Sequence, residues 1–300
     1  MGILSDLYTT KKHKLDVMVM ASSRPDLLKI TMEAFKKYII YQNVDIRFMI
    51  HEDFVFPETS RESVRWAESW GFDVIESSLP KIGVGFGMDK MFKLIESDYV
   101  FYIQDDWEFE RPVELDRILW TMDRYPKINC ITFNKYRNMK PTDGFEDKEY
   151  DYDGLKLCIY PGWQFLPGVW RMSVIKKKWT PKKIRPEGNW QNSFGKHDFR
   201  LNPQTLEDEI GAYMYGGLGE YRYVRHTGGT WRMADWQMKT NNYKPAGVKH
   251  WEFQSWMRDR SPWLGKLTKR PLNNNISLTK EGREMLEKQP EYVKEMFSES

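Results

Sequence analysis

Cysteine is nearly absent from this sequence, since only Cys130 and Cys158 occur among its 300 residues. The two cysteines form no CxxC pair, and no histidine lies near either of them at the spacing of a zinc site. This pattern argues against a disulfide-stabilised scaffold and against a zinc knuckle. A reducing compartment fits such a composition, and we expect a cytoplasmic protein.

Long apolar runs are also missing. No stretch approaches the roughly 18 consecutive apolar residues that span a bilayer. The first segment, MGILSDLYTTKKHK, lacks the extended apolar region of a signal peptide. We therefore expect no transmembrane segment in this protein.

Glycine-rich phosphate loops are missing as well. The turn Ala21–Pro25, which follows the first apolar run, contains no glycine, and this disfavours a sugar nucleotidyltransferase, whose phosphate loop lies at that place. Gly83, Gly85 and Gly87 have the spacing GxGxG and not GxGxxG. A dinucleotide-binding fingerprint is therefore not predicted.

The composition that is present is typical of a folded enzyme. The chain is 40% hydrophobic and 15% aromatic, with a mean hydropathy of −0.69. Its length suits one sizeable domain, or a main domain with an appendage. Periodicity is lost after about Trp236, so we divide the chain into a main domain, residues 1–235, and a basic, Trp-rich extension, residues 236–300, packed on or beside it with a final helix near 280–297.

Strand and helix patterns alternate along the main domain. The predicted strands are Leu15–Met20, Asp45–Ile50, Phe72–Ile75, Tyr99–Ile103, Ile128–Phe133, Leu155–Tyr160 and Phe165–Arg171. The predicted helices are Asp26–Tyr38, Ser60–Trp70, Met88–Ile95, Val113–Arg124 and Leu206–Tyr215. Such alternation predicts an α/β fold, a single Rossmann-type domain with a mostly parallel central sheet, whose ligands bind beyond the carboxyl ends of the strands.

An acidic pair, Asp105 and Asp106, follows the apolar strand Tyr99–Ile103. Carboxylates at the end of a buried strand are costly to desolvate unless a cation or a donor compensates them. A divalent metal, Mn²⁺ or Mg²⁺, meets this need and would also bridge the diphosphate of a nucleotide donor. The alternative is an Asp-Asp turn that caps the following segment.

Polar residues follow two other predicted strands. Ser22–Pro25 follows the first strand and Glu52–Asp53 the second, so a parallel sheet would gather them with Asp105 and Asp106 around one ligand. Ordinary helix capping also explains Ser23 to Asp26.

Two later features suggest acid-base or metal chemistry. Glu207 and Asp208 lie at the start of a predicted helix, where a carboxylate could remove a proton from an acceptor hydroxyl, although the helix dipole alone also favours acidic residues there. His226 follows the strand-like segment Tyr221–Val224, where it is either a metal ligand or a structural histidine.

In this order the motifs resemble those of GT-A-type glycosyltransferases, especially the family-2-like enzymes, from about Leu15 to about Arg232. The matching segments are Ser22–Pro25, Glu52–Asp53, Gly83 to Tyr102, Gln104–Asp106 at the place of the DxD motif, the glycine loop from Tyr160 through Gly168, Leu206–Asp208 as the xED motif, and His226. The resemblance implies a GT-A-like fold and metal-dependent transfer of a sugar from a nucleoside-diphosphate sugar to an acceptor hydroxyl. It favours a UDP-sugar and inverting chemistry.

The resemblance also implies roles for individual residues. Asp106 and His226 would hold the metal, and Asp208, with Glu207 beside it, would be the catalytic base. The implied donor-binding residues are Ser22, Ser23, Arg24, Glu52, Asp53, Gly85, Asp89, Gln104, Asp105 and Gly168. Gln104 departs from the family pattern because it occupies the first position of the DxD motif, which leaves Asp105 or Gln104 nearer the ribose.

The acceptor is indicated only by charge. Residues 221–270 contain eleven basic and three acidic residues, and a second basic stretch runs from Arg171 to Arg185. These stretches suit a polyanion such as DNA carrying a modified base, or they form a solvated surface around a polysaccharide, lipopolysaccharide or protein acceptor. A non-catalytic carbohydrate- or nucleic-acid-binding module is the remaining alternative; its stacking platforms would be Trp163, Trp170, Trp190, Trp231, Trp236 and Trp251.

Overall fold

The computed structural model describes residues 12–54, 57–79, 82–135, 149–159, 165–179, 211–216 and 222–227. The strands are β1 (His13–Ala21), β2 (Ile39–Ile40), β3 (Val44–Asp53), β4 (Val74–Ser78), β5 (Tyr99–Gln104), β6 (Trp107–Phe109), β7 (Val113–Glu114), β8 (Cys130–Phe133), β9 (Glu149–Tyr152), β10 (Leu155–Ile159), β11 (Gly168–Arg171), β12 (Ala212–Tyr215) and β13 (Val224–His226). The helices are α1 (Pro25–Tyr38), α2 (Pro57–Trp70), α3 (Val84–Leu94), α4 (Leu115–Arg124) and α5 (Met172–Lys178).

One large sheet organises the described part of the chain. Its nine strands lie in the order β4-β3-β1-β5-β11-β8-β12-β10-β9. Only β11 and β10 run against the direction of the other strands in this sheet. The predicted α/β class and mostly parallel central sheet are therefore confirmed.

Apolar residues on both faces of the central strands form the core. Every residue of β5 from Tyr99 to Ile103 is buried, because helices and loops cover both sides of a central parallel strand. Phe35 of α1 packs edge-on against Phe48, Phe101 and Phe109, with ring centroids 5.7, 5.2 and 6.3 Å away. This packing fixes α1 over the strands whose ends carry the polar motifs.

The register of the parallel strands brings their carboxyl ends to one edge. Ala21 of β1 lies opposite Glu52 of β3, and Met20 of β1 lies opposite Gln104 of β5. The residues that follow β1, β3 and β5 are therefore neighbours, as the sequence predicts.

A two-stranded antiparallel ribbon of β6 and β13 continues from this edge. His226 lies opposite Trp107, and Val224 lies opposite Phe109. The ribbon thus places His226 next to Trp107, the residue directly after the acidic pair.

The predicted helix Leu206–Tyr215 is wrong over the residues that the structure describes. Residues 212–215 form β12, which lies between β8 and β10, and Tyr213 and Met214 are fully buried. Pairing with a strand on each side outweighs the weak local preference for a helix. Smaller differences are the start of α3 at Val84, ahead of the predicted Met88, and the position of β4, which is Val74–Ser78.

Within the described residues no helix is both long and apolar enough to cross a membrane. The extension 236–300 and its predicted helix lie outside the described residues, so the domain boundary stays a prediction.

Candidate active site

The buried carboxyl group of Glu52 stabilises the turn after β1 through hydrogen bonds. Ser23 has a φ of 55°, in the left-handed region, and its backbone N–H donates to Glu52 Oε1 at 2.5 Å. Ser60 of α2 donates its hydroxyl to the same Oε1 at 2.7 Å and also contacts the Ser23 hydroxyl at 2.7 Å. All three residues are fully buried. Ser23 and Glu52, both predicted to bind the donor, are therefore brought together and interact with each other.

The surroundings of Glu52 favour its neutral form. Burial raises the pKa of Glu52 to about 8, although hydrogen bonds from Ser23 and Ser60 lower it. Its second oxygen, Oε2, has no hydrogen-bond partner within the described part of the chain. The raised pKa of Glu52 therefore limits the negative charge that it adds beside Asp105.

Asp53 ties the end of β3 to the start of α3. Its two carboxylate oxygens accept the backbone N–H groups of Ile82 and Gly83, each at 2.8 Å. Gly83 has a φ of 83°, which favours glycine at this turn. Ser22 also donates its hydroxyl to the Asp53 backbone oxygen at 3.1 Å. Asp53 thus joins two of the polar strand ends.

Helix α3 carries two more of the predicted donor-binding residues. Gly85 is buried in its first turn, and Asp89 is partly buried and forms an ion pair with Lys93 at 2.7 Å. Such an i,i+4 pair stabilises a helix modestly without any ligand. A donor-binding role for either residue stays a prediction.

The acidic pair shares one guanidinium. Arg24, directly before α1, donates Nε to Asp105 Oδ2 at 3.1 Å and Nη2 to Asp105 Oδ1, while its Nη1 donates to Asp106 Oδ2 at 2.8 Å. The Ser22 backbone N–H adds a third hydrogen bond to Asp105, at 3.0 Å. Asp105 is fully buried and Asp106 is 4% exposed. The four residues therefore form one buried, charged cluster.

Burial and mutual repulsion shape the charges of this cluster. Burial raises the pKa of Asp105 to about 6, since the Arg24 charge, which lowers it, only partly offsets burial, and the Asp106 charge raises it further. Burial lowers the pKa of Arg24, but the charges of Asp105 and Asp106 more than reverse this. Arg24 carries one positive charge beside the two carboxyl groups of Asp105 and Asp106, and their mutual repulsion favours binding of a cation at this position.

The β6–β13 ribbon places His226 beside Asp106. His226 Nε2 lies 3.2 Å from Asp106 Oδ2, and the imidazole stacks on Trp107 with ring centroids 4.6 Å apart. The backbone N–H of Thr227 donates to the Asp106 carbonyl oxygen at 2.7 Å. The two residues predicted as metal ligands are thus adjacent although 120 positions separate them.

A second ionic cluster fixes the ribbon and is absent from the sequence prediction. Glu110 accepts Nε of Arg222 at 2.5 Å and Nε of Arg225 at 2.6 Å. Burial alone would raise the pKa of Glu110, but these hydrogen bonds more than offset it and lower the pKa. The sequence does show two arginines on either side of the strand-like Tyr223–Val224, which suggests an acidic partner for them. No local pattern identifies Glu110 as that partner.

The donor set at Asp106 suits a divalent metal whose coordination a ligand completes. Among the described residues no group of three or more His, Cys, Asp or Glu side chains is arranged to hold a metal. Asp106 and His226 nevertheless present a carboxylate oxygen and an imidazole nitrogen side by side, both of which Mn²⁺ accepts. Ions of this type are commonly bound by one or two protein ligands together with substrate phosphates and water.

Three other residues at the sheet have structural roles. Gln104 donates its amide to the Tyr102 hydroxyl at 2.6 Å. A Cβ added to Gly168 would lie 2.4 Å from the Ile131 carbonyl oxygen, so close strand packing requires this glycine, and its predicted part in the donor pocket stays a prediction. Trp170, predicted as a stacking platform, is fully buried and stacks on Tyr102 at 4.3 Å, so that prediction is wrong for this residue.

Several predicted functional residues lie outside the described part of the chain. They are Glu207 and Asp208, the loop residues 160–164, and Trp163, Trp190, Trp231, Trp236 and Trp251.

Comparisons with solved structures find several similar chains, all of low sequence identity. TarS 1–349 from S. aureus in complex with UDP is 9% identical over 82% of this chain and 70% of that chain, with a TM-score of 0.49. The same protein with UDP-GlcNAc is 9% identical over 82% and 66%, with a TM-score of 0.46. The mannosyltransferase PcManGT from Pyrobaculum calidifontis, with GDP-Man and Mn²⁺, is 10% identical over 85% and 72%, with a TM-score of 0.47.

No protein-family model and no curated protein sequence matches the chain. Such low identities and TM-scores carry over no donor, metal or acceptor. Parallel strands β4-β3-β1-β5 followed by the antiparallel β11, with the acidic pair directly after β5, agree with the GT-A-like α/β fold predicted from the sequence.

Proposed function

We propose that this protein is a metal-dependent glycosyltransferase that moves a sugar from a nucleoside-diphosphate sugar to an acceptor hydroxyl. The observation that carries the proposal is the meeting of Asp106, His226 and Arg24 at the carboxyl edge of the parallel strands. A carboxylate, an imidazole and a guanidinium together match a metal-bound diphosphate, which combines a divalent cation with phosphate oxygens. The GT-A-like fold is consistent with this chemistry.

Asp106 and His226 would hold the metal, which neutralises charge on the departing diphosphate when it is bound. Arg24 would donate N–H groups to phosphate oxygens, and guanidinium groups suit such contacts because their donors lie in one plane. Ser22 and Asp53 fix the turns around this position. These side chains orient the donor and need not react themselves.

We assign the base to Asp208, with Glu207 beside it, on the resemblance of Leu206–Asp208 to the xED motif. The base takes the proton of the acceptor hydroxyl while its oxygen bonds to the anomeric carbon. The bond between that carbon and the diphosphate oxygen breaks, and its electron pair leaves with the nucleoside diphosphate. A single displacement of this kind inverts the anomeric centre. A UDP-sugar is the donor that the resemblance favours.

For the acceptor we keep two candidates, a polysaccharide or lipopolysaccharide and a modified DNA base. Lys176 and Lys177 of α5 are exposed, which suits contact with a polyanion. Replacing Lys176, Lys177 and Lys178 together by glutamine should weaken binding to duplex DNA and reduce its salt dependence if DNA is the acceptor. Unchanged binding would remove DNA and leave the glycan.

The proposed activity is tested by release of nucleoside diphosphate from a panel of nucleotide sugars, with Mn²⁺ and with EDTA. Slow hydrolysis of the correct donor needs no acceptor, so the assay works before the acceptor is known. Stimulation by Mn²⁺ for one nucleotide sugar supports the proposal. Binding of a glycan or nucleic acid without any release from the panel would favour the non-catalytic binding module.

A further inference from the structure

Arg24 binds the oxygen that a metal at Asp106 and His226 would need. Asp106 Oδ2 accepts Arg24 Nη1 at 2.8 Å and lies 3.2 Å from His226 Nε2. A divalent ion coordinated by this oxygen and this nitrogen would stand close to the guanidinium. Two cations at such a distance repel each other strongly in a buried site.

Arg24 holds the two carboxylates unequally. Asp105 receives two guanidinium N–H groups and the Ser22 backbone N–H, whereas Asp106 receives only Nη1 from this arginine. The Arg24 side chain is 15% exposed, while that of Asp105 is fully buried. Asp105 is therefore the anchor of the guanidinium, and the contact with Asp106 is the one that can change without moving the whole side chain.

We propose that Arg24 keeps its hold on Asp105 and exchanges its contact with Asp106 for a phosphate oxygen of the donor when a divalent metal takes Asp106. The proposal rests on the function proposed above and adds a mechanism for loading the site. A metal ion that binds without a nucleotide must compete with Arg24 Nη1 for the Asp106 carboxylate. It would also leave that N–H group of Arg24 without an acceptor and lie close to the guanidinium charge. A nucleoside diphosphate bound together with the metal would supply phosphate oxygens that accept the Arg24 N–H group and offset the repulsion between the guanidinium and the ion.

Positive coupling between metal and nucleoside diphosphate follows. Each ligand should tighten the binding of the other by the same factor, because coupling free energies are reciprocal. Removing the guanidinium should raise the affinity for metal alone and reduce that factor. A purely structural arginine would give neither change, since its loss would only loosen the turn after β1.

Free Mn²⁺ measured by electron paramagnetic resonance tests this exchange. Wild-type protein and Arg24→Gln are titrated with Mn²⁺ alone and with Mn²⁺ in the presence of UDP, GDP, ADP or dTDP. We expect Arg24→Gln to bind Mn²⁺ alone about tenfold more tightly than the wild type, and the tightening by nucleotide to fall by a similar factor. Equal or weaker binding of Mn²⁺ alone by Arg24→Gln overturns the proposal.

Matched variants locate the effect. Arg47→Gln removes a guanidinium from a buried carboxylate of β1, Asp16, and should leave Mn²⁺ binding unchanged. Arg24→Gln combined with Asp106→Asn should lose the gained affinity, which shows that the ion sits at Asp106. Persistence of the gain in the double variant would overturn the proposal.

A conservative variant covers failure of Arg24→Gln to fold, which thermal unfolding would reveal. Arg24→Lys keeps the positive charge, and with it part of the repulsion, but its single ammonium nitrogen cannot hold both carboxylates as the three guanidinium nitrogens do. Mn²⁺ alone should therefore bind more tightly than in the wild type, by a smaller factor than in Arg24→Gln. Wild-type affinity in a folded Arg24→Lys protein counts against the exchange. If no nucleotide binds the wild type, the proposed function fails, while the titration with Mn²⁺ alone still decides the role of Arg24.

Discussion

Strand β1 has a buried arginine–carboxylate cluster near each end, and the two clusters are built differently. Near its amino end, Asp16 accepts the backbone N–H groups of Glu96 and Ser97, the Ser97 hydroxyl, and Nε of Arg47. Beyond its carboxyl end, Asp105 and Asp106 share the one guanidinium of Arg24.

The pKa shifts follow this difference. Burial alone would raise the pKa of Asp16, but hydrogen bonds from Arg47, Ser97 and Glu96 more than offset it and lower the pKa. Burial raises the pKa of Asp105 despite its hydrogen bonds. In the amino-end cluster the hydrogen bonds therefore outweigh burial, whereas in the carboxyl-end cluster burial and the repulsion between Asp105 and Asp106 outweigh the hydrogen bonds to Asp105, and a bound cation would offset that repulsion.

The largest effect should come from neutralising Asp106. Asp106→Asn removes one proposed metal ligand, so Mn²⁺-stimulated release of nucleoside diphosphate should fall on the order of 10²- to 10³-fold, as when a key electrostatic contact is lost. Initial rates with Mn²⁺ and with EDTA measure this. Asp16→Asn is the matched control, and its rate per folded molecule should stay near that of the wild type. Equal losses in both variants would abolish the distinction between the clusters.

A pH-dependent effect is expected next, at Glu52. The pKa of Glu52 is raised to about 8 in the folded protein, above its value of 4.5 when exposed. The folded state therefore binds more protons than the unfolded state between these values, and the wild type loses stability as pH rises through this window.

Glu52→Gln keeps the acceptor oxygen for Ser23 and Ser60 but cannot ionise. The free energy of unfolding of the variant, relative to the wild type, should rise by up to roughly 3 kcal/mol between pH 5 and pH 8. Urea unfolding at several pH values measures the difference. A difference that does not change with pH would show that Glu52 is ionised throughout and that the carboxyl edge is more polar than the structure indicates.

Asp16→Asn should lower the free energy of unfolding by roughly 2 kcal/mol at pH 7, because an amide nitrogen cannot accept the N–H groups at its position and Arg47 loses its charged partner. Asp106→Asn should cost less, since it also relieves repulsion with Asp105. Urea unfolding of the two variants compares the clusters directly. A greater loss of stability for Asp106→Asn would mean that the carboxyl-end cluster contributes mainly to the stability of the fold and not to ligand binding.

The smallest effect should come from Glu110, which holds β13 through Arg222 and Arg225. Glu110→Gln weakens these ion pairs and so loosens His226, and we expect Mn²⁺ affinity in the presence of nucleotide to fall about tenfold, as for other residues that orient a metal ligand. Titration of Mn²⁺ followed by paramagnetic resonance measures this. Lys93→Gln, which breaks the surface pair with Asp89, is the control and should change nothing.

The gathering of the polar strand ends could be predicted from the sequence because parallel strands place their carboxyl ends together. The apolar runs of β1, β3 and β5 are long enough to identify, and Arg24, Asp53 and Asp106 lie at or just beyond the carboxyl ends of these strands. The charge pattern also suggested a cation, although the sequence did not identify Arg24 as the group that bridges the pair.

Non-local pairing explains what the sequence did not predict. Strand β6 has only three residues and pairs with β13, which lies more than a hundred positions later in the sequence. No local sequence pattern therefore predicts the ribbon that brings His226 to Asp106. Segment 212–215 is a strand because β8 and β10 flank it, although its local pattern suggested a helix. In both places the partner strands, and not the local residues, decide the structure.

Thermal unfolding with Mn²⁺ and a panel of nucleotide sugars, added singly and together, tests the central claim most directly. A ligand that binds only the folded state raises the midpoint by mass action. We predict that one nucleotide sugar together with Mn²⁺ raises the midpoint of the wild type by more than the sum of the separate shifts, and that Asp106→Asn abolishes this excess. An equal excess in Asp106→Asn, or none for any nucleotide sugar with the wild type, would contradict the assignment of a metal and donor site to the acidic pair.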